Sequence, residues 1–151
     1  RAILACMAYV DLNAIRGKIA DTPETSDCTS IKMRVETAKK GQTPKRLAQF
    51  QGCERTDKKV GIPFALMDYL ELIDITGKAI REGKRGHITA SLPPILKRLN
   101  IDADSWLHIA TTFEDSFGPW IGTTQKTQQV CSNIGKHWIC STGSEQKLYG
   151  T

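Results

Sequence analysis

The run Ala2–Leu12 (AILACMAYVDL) constrains this chain more than any other stretch. It contains neither Gly nor Pro and is dense in good helix formers, so it reads as a buried helix. Residues four apart share a helix face, which stacks Tyr9 over Asn13. Ala5 and Ala2 continue that face toward the N-terminus and leave room around the phenol. Arg16 joins the same side if the helix runs on. A phenol, a carboxamide and a guanidinium on one face can form the wall of an active site. The same residues also have an ordinary reading. A Tyr in an apolar helix commonly packs in the core with its hydroxyl at the rim, and an Asn after a helix commonly caps or turns it. Pattern alone leaves both open.

The chain has 151 residues, 40% of them hydrophobic, enough for one domain with a real core. It shows no apolar run of membrane-spanning length and no signal-peptide pattern. The net charge of +5 is unevenly placed. Residues 1–50 carry nine Lys or Arg against five acids, residues 51–100 nine against six, and residues 101–151 three against five. The basic first two-thirds suit a polyanion such as DNA, and lysines scattered for solubility give a similar picture. Five cysteines, none in a CxxC pair, fit reduced thiols in a cytosol better than a disulfide framework. Cys131, His137 and Cys140 lack a fourth ligand at metal spacing, so they do not read as a zinc site.

Along the chain, Asp21–Glu24 is a turn. Thr29–Ser30 caps a second helix with Ile31, Val35 and Ala38 on one face, and Gly41 ends it. Lys32, Arg34, Lys39 and Lys40 dress its other faces, as a track for a DNA backbone or as a solvated surface. Residues 41–63 are polar and punctuated by Gly and Pro, which reads as a linker and domain boundary. An amphipathic helix is predicted from Phe64 to about Arg81. Arg81–Gly86 (REGKRG) follows as a glycine-flexed basic turn, either an ordinary exposed turn or a DNA contact with Arg81, Lys84 and Arg85 as candidates. Pro93-Pro94 opens a short helix, Ser105 caps another carrying Trp106, Ile109, Ala110, Phe113 and Phe117, and Thr123–Ile134 forms one more. The expected organisation is mainly α: residues 1–40, a linker over 41–63, a helical bundle over 64–135 and a tail over 136–151. A helix-turn-helix across Ile95–Phe117 is compatible with this spacing.

The segment Ala5-Cys6-Met7-Ala8-Tyr9-Val10-Asp11-Leu12-Asn13-Ala14-Ile15-Arg16-Gly17 closely resembles the tyrosine helix of the single-tyrosine HUH transposases, nearest the REP-associated group and its longer relatives. Ser26–Lys32 resembles the Ser/Thr-capped segment that follows it in that family. A weaker likeness to the C-terminal extension of the longer members runs from Gly61 to Gly122, at Asp68-Tyr69-Leu70-Glu71-Leu72 and Lys84-Arg85-Gly86.

The resemblance implies a tyrosine helix left over from an α/β HUH palm. Tyr9 is then the nucleophile that cleaves single-stranded or hairpin DNA through a covalent phosphotyrosine, and Asn13 is a ligand to a divalent ion, Mg or Mn. Arg16 pairs with a flanking phosphate. A phenol of pKa about 10 needs a cation or base beside it to attack at neutral pH. A cytoplasmic location goes with this, and no membrane partner.

Two departures stand out. Ala14 replaces the usual Pro, which lets the helix continue. The family's His-hydrophobic-His signature is absent, since His87, His108 and His137 are never two apart. The expectation is therefore the C-terminal part of a longer protein, inactive alone, whose histidines come from upstream or from a partner subunit in a homodimer. The alternative is a non-catalytic helical module for binding DNA or another partner.

Overall fold

The leading apolar run forms helix almost without interruption. In the computed structural model, which describes residues 1–51, 61–83, 94–117, 121–136 and 148–149, α1 spans Ala2–Asp11 and α2 spans Asn13–Arg16. Only Leu12 separates them (φ −91°, ψ 2°). The ladder carries across it, from Leu12 N–H to the Ala8 carbonyl (3.0 Å) and from Arg16 N–H to the Leu12 carbonyl (2.9 Å). Ala14 has an N–H and no ring, so nothing there breaks the helix. The chain turns away at Lys18, which takes φ 56°, while the Ala14 carbonyl accepts from the N–H groups of Ile19 and Ala20.

A 3₁₀ turn at Pro23–Thr25, closed by a capping box on Thr22, leads to α3 (Ser30–Lys39). Thr29 Oγ1 accepts from Lys32 N–H to cap α3, and Gly41 follows in the left-handed region (φ 63°). Then come α4 (Leu66–Arg81), α5 (Pro94–Leu99), α6 (Ala103–Ser116) and α7 (Thr124–Asn133). The chain is mainly α. Among the described residues the β pairing is a single parallel bridge between Phe50 and Ile62.

One local expectation needs correcting. Asp102, not Ser105, caps α6: its carboxylate accepts from the N–H groups of Asp104 (3.1 Å) and Ser105 (2.9 Å), so the helix starts a turn early. In addition α6 kinks at Thr112 (φ −123°, ψ 29°). The hydroxyls of Thr111 and Thr112 donate back to the carbonyls of Leu107 and His108, a bond that competes with the helical ladder and bends it.

The larger revision concerns organisation. Leu4, Ala5, Ala8, Leu12 and Ile15 share one core with Tyr69, Leu72, Ile73, Leu96, Trp106 and Ile109. α1 lies along α6, and α2 crosses α4 at Gly77, where an added Cβ would sit 3.0 Å from Ile15 Cδ1. The helices before and after residues 41–63 thus pack as one unit among the described residues, not as two separately cored domains. No described helix is long and apolar enough to cross a membrane. Lys84, Arg85, Gly86, His87, His137 and Cys140 lie outside the described residues. Cys131 is buried, with its thiol donating to the Lys136 carbonyl (2.8 Å).

Candidate active site

Tyr9, Asn13 and Arg16 come together because the helix continues through Leu12. The Arg16 guanidinium lies over the Tyr9 ring, 3.7 Å from its centroid. Its Nη1 donates to the Tyr9 carbonyl (2.7 Å) and, across to α6, to the Ala110 carbonyl (3.3 Å). Its Nη2 donates to Asn13 Oδ1 (3.2 Å). The half-buried Tyr9 ring also stacks on Phe113, with centroids 5.2 Å apart. Asn13 is exposed. Both Nη1 hydrogens of Arg16 are taken inside the chain, so its first task is to hold Tyr9, Asn13 and α6 together.

Behind this cluster lies a polar group that the local pattern does not reveal. Asp11, only 2% exposed, accepts Tyr69 Oη–H on one oxygen (2.5 Å) and the Ser30 hydroxyl on the other. Burial first, and then the Asp11 carboxylate, push the Tyr69 phenol well above its ordinary value. Arg34 lies near the group, and its charge offsets part of the rise at Tyr69. Its Nη1 donates to the Ala48 carbonyl (3.1 Å), and its guanidinium sits 4.8 Å from the Phe50 ring centroid. The signal in the sequence was there to be used. Asp11 is the one charge within an otherwise apolar helix, and a buried charge needs partners.

Arg34 is therefore not on the outer face of α3, where it was expected beside the lysines; it is 4% exposed. A buried cation already bonded to the Ala48 carbonyl is not offered to a DNA backbone. Lys32 pairs with Asp27 and approaches Glu36 (4.0 Å). The Asp27 hydrogen bond raises the Lys32 ammonium above its usual value. Arg81 is exposed and donates to the Asp21 carbonyl (3.3 Å), tying the end of α4 to the turn after α2. Neither joins the Tyr9 cluster in these contacts.

Chemically, the cluster offers a phenol with a fixed cation on its face and a carboxamide oxygen one turn away. It does not amount to a metal site. Asn13 supplies one neutral oxygen, already bonded to a guanidinium, and no group of three or more His, Cys, Asp or Glu among the described residues is placed to hold an ion. Comparison of the chain with known protein families, with curated proteins and with solved structures finds no match.

Proposed function

We propose that this chain is the C-terminal part of a single-tyrosine HUH transposase that cleaves and rejoins single-stranded DNA at hairpin-bearing ends. The observation that carries the reading is the gathering of Tyr9, Asn13 and Arg16, the three residues of the tyrosine-helix motif, into one hydrogen-bonded cluster at the edge of the fold. In the reaction Tyr9 Oη attacks the scissile phosphorus. A tyrosine–phosphate bond forms, the bond to one strand end breaks, and that end leaves as a hydroxyl while the phenol gives up its proton. One phosphodiester is exchanged for another, so the covalent link keeps the strand ready for rejoining. Arg16 places a permanent positive charge against the ring on which negative charge develops.

A divalent ion, Mg or Mn, would take Asn13 as one oxygen ligand, with the others supplied elsewhere in the parent protein. Lys32, Arg81, Lys84 and Arg85 are the candidates for contact with the DNA backbone. A cytoplasmic location goes with the reading.

The second reading, a non-catalytic helical binding module, is favoured by one observation: the cluster also works as a clamp. Arg16 joins α1, α2 and α6, and Tyr9 packs on Phe113. Tyr9→Phe in the full-length parent separates the two. Loss of the denaturant-resistant protein–DNA adduct, with the melting curve kept, is the expected result. An adduct that persists removes Tyr9 as nucleophile, and a parent that never forms one leaves the module reading.

A further inference from the structure

Helix α1 is apolar on nearly every side. Leu4, Ala5 and Ala8 point into the core, yet Ile3 (46% exposed) and Val10 (60% exposed) on the outer side are equally apolar. Hydrophobic burial therefore does little to decide which side of α1 faces inward. A buried polar group does decide it. Asp11 follows Tyr9 by two residues, about 200° round the helix, so the two lie on nearly opposite sides.

Tyr9 is gripped by Phe113 and Arg16, whereas Asp11 is gripped by Ser30 of α3 and Tyr69 of α4. Both Asp11 oxygens are engaged, and Tyr69 keeps its proton and remains a donor. Any roll of α1 leaves a buried carboxylate short of partners, which is costly.

We propose that Asp11 and Tyr69 are positioning residues: their hydrogen bond fixes the roll of α1 and so the side on which Tyr9 is presented. This gives the Asp68-Tyr69-Leu70-Glu71-Leu72 segment a role. Helix α4 serves the tyrosine helix directly, through one phenol. Only the activity part of the test rests on the proposed function.

The chain contains three tyrosines, so incorporation of 3-fluorotyrosine gives three fluorine NMR lines, with Tyr9 assigned by Tyr9→Phe. Tyr69→Phe removes a single oxygen and keeps the ring against Phe50. The expected result is a shifted or split Tyr9 line. Thr76→Val is the control: it removes the Trp106 Nε1–H to Thr76 Oγ1 bond (2.9 Å) from the same helix, and the Tyr9 line should stay. A Tyr9 line unmoved by Tyr69→Phe, or moved equally by Thr76→Val, overturns the proposal. Should Tyr69→Phe not fold, Ser30→Ala cuts the other bond to Asp11 and is read the same way.

In the full-length parent, Tyr69→Phe should slow adduct formation at saturating oligonucleotide by about tenfold, since small misplacements of a reacting group are costly. Affinity for the oligonucleotide should stay unchanged. An unaltered rate overturns the proposal. A wild-type parent that forms no adduct counts against the proposed function, and the fluorine lines then decide the positioning role alone.

Discussion

At the scale of residues, the buried pair Asp11–Tyr69 gives this protein a titration that exposed tyrosines lack. The hydrogen bond from Tyr69 to a carboxylate is worth about 1.5–3 kcal/mol, so Tyr69→Phe should lose about that much stability in urea at neutral pH. The pH dependence has a definite sign. Tyr69 is raised well above 10 in the folded chain, so above pH 10 the unfolded chain releases its proton while the folded chain holds it. Stability from this group is complete below pH 10 and declines as pH rises toward the folded value, by up to about 1.4 kcal/mol per unit. The gap between wild type and Tyr69→Phe should therefore narrow at about pH 11, since the other titrating groups cancel in the difference. A gap that stays constant from neutral pH to about 11 excludes a raised Tyr69. The gathering of Tyr9, Asn13 and Arg16 was legible because helical spacing is local. The burial of Arg34 was not. Lys32 and Arg34 flank the apolar stripe of α3 on opposite sides, and what buries Arg34 comes from outside the helix, the Ala48 carbonyl and the Phe50 ring.

Among the elements, α2 fits closely against α4 at Gly77. Gly within a helix costs about 1 kcal/mol relative to Ala, so a glycine in α4 has to have a use. Here its use is space: an added Cβ would meet Ile15 Cδ1 at 3.0 Å and Leu12 Cδ2 at 3.4 Å. Ile15 is only 3% exposed and has little room to yield. Gly77→Ala should destabilise by about 1 kcal/mol net, overpacking outweighing the gain in helix propensity. Ile15→Val, which removes the opposing Cδ1, normally costs about 0.5–1.5 kcal/mol and should cost nothing in the Gly77→Ala background. Additive losses in urea melts of the double-mutant cycle defeat this account. Nothing local in α4 marks Gly77 for this use, because the residues it makes room for, Leu12 and Ile15, come from the first helical run of the chain. The helices themselves were legible where their start signals are local, as at Thr29, whose hydroxyl caps α3, and at Pro94, which opens α5. At α6 two good capping residues compete three positions apart, and Asp102 wins by accepting two N–H groups.

For the whole molecule, the question is whether residues 41–63 separate two folding units. Composition favoured a linker, because polar residues with Gly and Pro look the same whether they join domains or cross the surface of one. Three contacts argue for one unit: Asp11 with Tyr69, Arg16 with the Ala110 carbonyl, and Ile15 over Gly77. The energies agree. Without residues 1–51, the buried Tyr69, Leu72, Ile73 and Ile109 lose part of their cover. Each fully buried side chain of this size is worth about 1.5–3 kcal/mol, against about 5–15 kcal/mol for an entire domain. Losing several at once is enough to unfold the remainder. Residues 61–151 alone should therefore lack a cooperative urea transition by tryptophan fluorescence, and adding residues 1–51 as a separate peptide should restore one. A fragment 61–151 that melts alone, with the midpoint and slope of the intact chain, would restore the boundary and make α4–α7 an independent domain. If the transition appears only with both pieces, the helices after residue 63 are part of the scaffold of Tyr9, and deleting them should remove the presentation of that tyrosine along with their own fold.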